Sequence, residues 1–193
     1  MFDKPKNAAV VHLVYDKKNG RIVQKHTSFD IEKDAYCKCD LKEIIDLIRN
    51  DSITLQRVTN QDPGNLDVII VKDFPLVSSA DLIVDVKNKR IIKRPRIKLS
   101  ANKYEIVGDG QDSTLLEVEI LDDKGKILKK YSGNIKVTTS RGRLSAKKGL
   151  IKVEGGKGNI TLTSANETVD RVQITAQCLE GKCIKGCLDL EFI

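Results

Sequence analysis

From Arg96 to Ile193 the chain repeats one device: a short run of alternating apolar and polar residues, closed by a turn of Gly, Asp or Asn, roughly every ten residues. Successive side chains of a strand point to opposite faces, so alternation at period two marks a strand with one buried face. In LLEVEIL, Leu116, Val118 and Ile120 share one face and Glu117 and Glu119 the other. NITLTS places Ile160 and Leu162 together, and RVQITA places Val172, Ile174 and Ala176 together. Aromatic residues are 4% of the chain and Trp is absent, so Ile, Val, Leu and Thr must form the strands. Short strands at this spacing predict an all-β sandwich, two antiparallel sheets packed face to face.

Three blocks carry a resemblance. The first is GDGQDSTLLEVEILDDKGK, Gly108 to Lys126: an Asp-Gly segment, a strand, then an Asp-x-x-Gly turn. The second is Gly133 with NIKVTT, followed by Gly142 with RLS. The third is GGKGNITLTS, Gly155 to Ser164, followed by the strand VQITA. In this order they resemble the bacterial immunoglobulin-like domain of the invasin and intimin type, over residues 96–193. The third block lacks the acidic turn residue often found in that family, and IKVTT lacks its core aromatic. The resemblance implies a spacer, adhesion or display module rather than a catalyst.

Residues 1–94 read as a separate α+β unit, so the expected fold is mainly β: a small α+β domain at 1–94, then an Ig-like sandwich at 95–193. AAVVHLVY, DKKNG and RIVQKHTSFDI form a hairpin turning at Asn19-Gly20, where positive backbone angles are easily reached. A three-residue loop of Lys18, Asn19 and Gly20 would set His12 opposite His26; a two-residue turn would shift the register by one. DLIVDVKNKRIIKR is a second hairpin whose turn repeats the first, Asp16, Lys18, Asn19, Arg21 and Ile22 matching Asp85, Lys87, Asn88, Arg90 and Ile91. Between them, DLKEIIDLIRN (40–50) is a helix with Asp40 as N-cap and Glu43 completing a capping box. Leu41, Ile44, Ile45 and Ile48 line its apolar face. SITLQRV and LDVIIVKDF are strands, the second apolar enough to be central in its sheet. The junction Lys93-Arg94-Pro95-Arg96 predicts a short, stiff connection, because proline fixes φ and pushes its predecessor to extended conformations.

The chemistry-bearing residues are few. No Gly-x-Ser-x-Gly elbow, Walker loop or His-Glu-x-x-His occurs, and EGGKGNITL is a hairpin turn, since no helix follows to receive a phosphate. Asp109, Asp112, Asp122 and Asp123 lie in two separate turns and do not form one calcium loop. Five cysteines cannot complete an intrachain disulfide set. Cys37-x-Cys39 and Cys178-x4-Cys183-x3-Cys187 do not follow paired zinc-knuckle spacing, even with His12 or His26 in reserve, so no metal and no cofactor is expected. Reduced thiols are the expected state, with a Cys178–Cys187 bridge open to an oxidising setting. The net charge of +7 is shared by both halves and its basic stretches are short, which argues against a nucleic-acid binder. No run approaches a membrane span, and the N-terminus does not read as a secretory signal.

The functional expectation is therefore non-enzymatic: a structural or display protein of a bacteriophage virion, docking through 1–94 and projecting the Ig-like domain. Its candidate docking surface is Leu41, Ile44, Ile45 and Ile48 of the helix with Val68, Ile69, Ile70 and Val71 of the apolar strand. Expected partners are other virion structural proteins, further copies of the chain among them, and a host surface touched by the sandwich. The alternative is a bacterial cell-surface adhesin or envelope module.

Overall fold

The computed structural model describes residues 10–30, 32–33, 35–40, 42–44, 46, 63–72, 74 and 78–193. The chain divides into two compact units, Met1–Ile92 and Lys93–Ile193.

The first unit is built on an antiparallel sheet of β1 (Val10–Asp16), β2 (Ile22–Asp30), β3 (Ala35–Cys37) and β4 (Leu66–Lys72), in the order β3-β2-β1-β4. β1 is buried on both faces: Val10, His12 and Val14 on one, Val11, Leu13 and Tyr15 on the other. That explains its continuous apolar run, which a half-solvated strand would break with polar residues. β4 is equally apolar, yet among the described residues it is an edge strand and only half-buried past Leu66. Its second neighbour, where the sequence expects one, does not fall among the described residues. The described part of the expected helix, 42–44 and 46, starts from the expected capping box. The Asp40 N–H donates to Glu43 Oε2 at 2.8 Å, and the Glu43 N–H donates to Asp40 Oδ1 at 2.8 Å. The expected strand at 52–58 lies outside the described residues.

The first hairpin takes one of the two open pairings, by another route. Four residues, Lys17 to Gly20, form the loop, and a bulge past Val14 restores the register, so that His12 faces His26. β5 (Leu82–Asp85) and β6 (Arg90–Lys93) form the second hairpin. The two turns share more than sequence. The Asn19 amide donates to Asp16 Oδ2 at 3.0 Å, and the Asn88 amide donates to Asp85 Oδ2 at 2.7 Å. The residue after each Asn has positive φ, Gly20 at 74° and Lys89 at 49°. Gly20 has a further reason to be glycine: a Cβ there would lie 1.9 Å from the Val84 carbonyl oxygen. The two hairpins meet at this point, the Val84 N–H donating to the Gly20 carbonyl at 2.8 Å.

The second unit is a two-sheet β-sandwich. One sheet orders as β12 (Leu150–Val153), β10 (Gly133–Thr139), β14 (Val169–Cys178), β15 (Gly186–Phe192) and β8 (Glu105–Ile106). The other orders as β11 (Arg143–Leu144), β13 (Lys157–Thr163), β9 (Ser113–Leu121) and β7 (Arg96–Ala101). All pairings are antiparallel except β8 with β15. The alternation read from sequence is the core. Leu116, Val118 and Ile120 from β9 and Val172, Ile174 and Ala176 from β14 are fully buried, with Ile160 and Leu162 from β13 in the same cluster. The Asp and Gly turns close as their sequences require. Asp122 Oδ1 accepts the N–H groups of Lys124 and Lys126, each at 2.9 Å, and Glu154 and Lys157 exchange backbone bonds of 3.0 Å across Gly155-Gly156.

Candidate functional site

The candidate docking residues do not all lie where a partner could meet them. Ile44 is fully buried against Val14 and Leu66, so it belongs to the core of its own unit and is not a docking residue. Leu41, Ile45 and Ile48 lie outside the described side chains. On β4, Val68 and Ile70 share one face, opposite Val14 and His12 of β1, while Ile69 and Val71 share the other, opposite Leu13 and Val11. Val68 packs on the cluster around Ile44, and Ile70 is 41% exposed. No strand pairs with the outer edge of β4 among the described residues.

Beside this strand stands a histidine–thiol network. His12 is buried, and its Nε2 accepts the Cys39 N–H at 2.9 Å. That bond leaves the proton of the neutral ring on Nδ1, which has no hydrogen-bond partner among the described residues. His26 Nε2 lies 2.7 Å from Ser28 Oγ, which lies 2.7 Å from Cys39 Sγ. Burial pushes the His12 pKa down, and the neighbouring His26, with ring centroids 6.1 Å apart, pushes it further. Burial, with Cys39 beside it, raises the Cys37 thiol. On the opposite face, Tyr15, Asp67 and Lys89 form a second polar group. The Tyr15 hydroxyl donates to Asp67 Oδ2 at 2.9 Å, and Lys89 Nζ reaches both the Tyr15 oxygen, at 2.6 Å, and Asp67. Lys89 rises to about 12 through these two partners.

The sandwich carries its own clusters. Asp109 Oδ1 accepts the N–H groups of Gln111 and Asp112. Asp112 accepts from Val107, Ser113 and the Lys103 ammonium, and these bonds hold its carboxyl down at about 2. Both carboxylates are committed to their own turn, and no group of three His, Cys, Asp or Glu among the described residues is arranged to hold a metal ion. The cysteines differ from expectation. Cys187 is exposed on β15 opposite Thr175, whereas Cys178 and Cys183 are both buried in the core. The Cys178–Cys187 pairing is therefore corrected to a Cys178–Cys183 neighbourhood: Cys178 closes β14 facing inward, and residue 187, an odd number of residues beyond the inward-facing Gly186, points out. A shallow depression of about 240 Å³ at the β8–β15 edge is lined by Tyr104, Glu105, Asp170, Asp189, Leu190 and Glu191.

No helix among the described residues is long and apolar enough to cross a membrane. No protein-family model matches the chain, and no curated protein matches it in sequence. Solved structures do. An intimin fragment crystallised with the intimin-binding domain of the translocated intimin receptor is 23% identical, over 49% of this chain and 32% of that one, with a TM-score of 0.40. The D0-D1 domain of intimin is 14% identical over 97% of this chain and 83% of that one, with a TM-score of 0.43. A glycosyl hydrolase family 2 member from Bacteroides cellulosilyticus is 16% identical over 97% of this chain and 22% of that one, with a TM-score of 0.46. The chain thus spans about a third of the intimin fragment and about a fifth of the hydrolase. The second unit is an Ig-like sandwich, and its own two-sheet strand order carries that statement.

Proposed function

We propose that the chain is a non-enzymatic attachment-and-display protein, in which residues 1–94 bind an assembly and residues 95–193 project from it as an Ig-like module. One observation carries this reading: the difference in how the two units treat their apolar strands. Along β9 and β14 the sandwich turns Leu116, Val118, Ile120, Val172, Ile174 and Ala176 inward, and the two strands complete each other's burial. β4 instead leaves Ile69, Ile70 and Val71 partly exposed on what is, among the described residues, an edge, where a partner strand would bury them and satisfy the backbone. The docking surface is accordingly Ile69, Ile70 and Val71, with Leu41, Ile45 and Ile48 of the helix face retained and Ile44 removed. The finer assignment is a bacteriophage virion component, whose partners are neighbouring virion proteins or further copies of the chain. The projecting unit meets a host surface through the end that exposes Tyr104, Val107 and Ile193.

Truncation tests the polarity. A chain lacking 95–193 incorporates into particles at wild-type occupancy, and a chain lacking 1–94 does not. Full incorporation of the isolated sandwich would reverse the assignment. A bacterial surface adhesin is the second reading, favoured by the Ig-like architecture of the projecting unit. Peptides of the chain in purified particles support the first reading, and peptides released by protease from intact cells support the second.

A further inference from the structure

The buried thiols of the sandwich have no part in attachment or display, yet they are held as a pair. β14 ends at Cys178, and the chain turns back through Gly181, whose N–H donates to the Cys178 carbonyl at 3.0 Å. Arg94 fixes the far side of this turn, donating to the Gly181 carbonyl at 2.6 Å and the Cys183 carbonyl at 2.8 Å. The Ile184 N–H adds a bond of 2.8 Å to the Pro95 carbonyl. The loop therefore has little freedom to carry Cys183 away. Both side chains lie in the core, Cys178 8% and Cys183 4% exposed, and each thiol is the first influence on the ionisation of the other. The Tyr131 hydroxyl sits 3.2 Å from Cys178 Sγ. Two donors on one sulfur favour its thiolate, so Cys178 is drawn down while Cys183 and Tyr131 keep their protons.

We infer that Cys178 and Cys183 are a site of reversible oxidation, closing a six-residue loop at the end of β14 by thiol–disulfide exchange with a low-molecular-weight disulfide. The Cys178 thiolate attacks one sulfur of the disulfide, forming a mixed disulfide and releasing one thiolate. Cys183 then gives up its proton and attacks Cys178 Sγ, and the second small thiol leaves. Two electrons and the Cys183 proton pass from the protein to the small disulfide, which departs as one thiol and one thiolate, the latter taking its proton from water. Arg94 and Tyr131 are positioning residues: one holds the loop, the other orients the attacking sulfur.

The test refolds the reduced full chain in glutathione buffers of graded ratio, so that burial does not limit access. Acid quenching, alkylation under denaturing conditions and peptide mass mapping follow. In oxidising buffer, the expected result is a Cys178–Cys183 cross-link in the wild type and in Cys187→Ser, with Cys187 alkylated in the wild type. Cys178→Ser and Cys183→Ser lose the cross-link while keeping a folded β circular dichroism spectrum. Closing so short a loop raises the melting temperature of the sandwich by on the order of 10 °C over the reduced form. Arg94→Lys shifts the midpoint of cross-link formation towards more oxidising buffer without changing which cysteines pair. A folded wild type in which Cys178 and Cys183 stay alkylatable in the most oxidising buffer overturns the inference, as does a Cys178–Cys187 link. Particle incorporation is a separate readout and is unchanged by Cys183→Ser.

Discussion

β1 and β9 lie in different units and use opposite strategies. β9 alternates, with Leu116, Val118 and Ile120 inward and Glu117 and Glu119 outward. β1 is buried on both faces from Val10 to Tyr15, and takes a histidine into the interior with it. The sandwich closes its core with two sheets whose outer faces are free for water. The first unit has one main sheet, and its middle strand needs cover above and below. A one-sided strand writes its orientation into the sequence, whereas a two-sided strand writes only that it is buried. Polar groups enter both interiors, His12 and Tyr15 in the first unit and Thr114 and Ser164 in the sandwich, while Lys89 meets Tyr15 and Asp67 from the exposed side.

The comparison breaks first at the sandwich core. Leu116→Ala removes a fully buried side chain at the centre of β9 and is expected to destabilise the second unit by about 3 kcal/mol. Calorimetry of the full chain reads this as one transition lowered by on the order of 10 °C while the other stays in place. Movement of both transitions together would show that the two units do not melt independently.

Glycine substitutions sharpen the contrast at two turns with the same backbone angle. Gly20 has φ 74° and Gly125 has φ 75°. A Cβ at Gly125 meets nothing within 4 Å, so Gly125→Ala carries only the left-handed backbone penalty, about 1 kcal/mol. A Cβ at Gly20 collides with the Val84 carbonyl, so Gly20→Ala must also part the two hairpins and is expected to cost about 3 kcal/mol. Urea midpoints for the two variants measure the difference. Equal losses would mean that the contact between Gly20 and Val84 contributes nothing.

How much of this was legible in the sequence follows from the same contrast. The inward faces of β9, β13 and β14 could be read because each polar residue marks a solvent side. The capping box of Asp40 and Glu43 was legible because it depends on three-residue spacing alone. The place of β4 at the end of the described sheet was not: LDVIIV reads the same whether one neighbour covers it or two. The register of the first hairpin was left open between two loop lengths, and the structure takes the one with His12 opposite His26 through a bulge, which has no residue signature. The Cys178–Cys183 pairing was hidden because strand alternation fixes Cys178 and says nothing of a loop residue, whose place is set by Arg94 bonding to the turn. The burial of Ile44 needed the sheet it packs on, which helical periodicity does not supply.

Acid separates the units next. Both histidines of the chain, His12 and His26, lie in the first unit. The folded pKa of His12 is held below the ordinary 6.5 by burial and by His26. The unfolded chain therefore binds this proton more readily than the folded one. The stability involved is fully present above about 6.5 and is lost as pH falls from there towards the folded pKa. Native-state hydrogen exchange should show β1 amides opening more readily at pH 5 than at pH 7, with the core amides of β9 changing less. His12→Gln, which cannot be protonated, should flatten the β1 response. A His12 ring that titrates at or above 6.5 by NMR would remove the basis for this expectation.

The smallest effect belongs to the charged outer face of the sandwich. Glu119 receives the ammonium of Lys98 at 3.2 Å from β7 and that of Lys157 at 3.4 Å from β13, so one carboxylate ties three adjacent strands. Lys98 and then Lys157 hold its carboxyl below the usual range. Any stability it contributes is present above the unfolded carboxylate pKa and is lost as pH falls through the folded one. Both lysine side chains are more than half exposed, so water and salt screen the attraction, and each gives up rotamer freedom to make it. Glu119→Gln should therefore lower stability by no more than about 1 kcal/mol, and 1 M salt should remove most of that difference. The equivalent change in the first unit, Asp67→Asn, strikes a carboxylate that meets the exposed Lys89 ammonium but also accepts from the Tyr15 hydroxyl of a buried residue, a neutral bond that salt screens little. Its loss should survive 1 M salt. If the two variants respond alike to salt, the distinction between an outer face held by screened charges and an inner one held by a neutral hydroxyl bond fails.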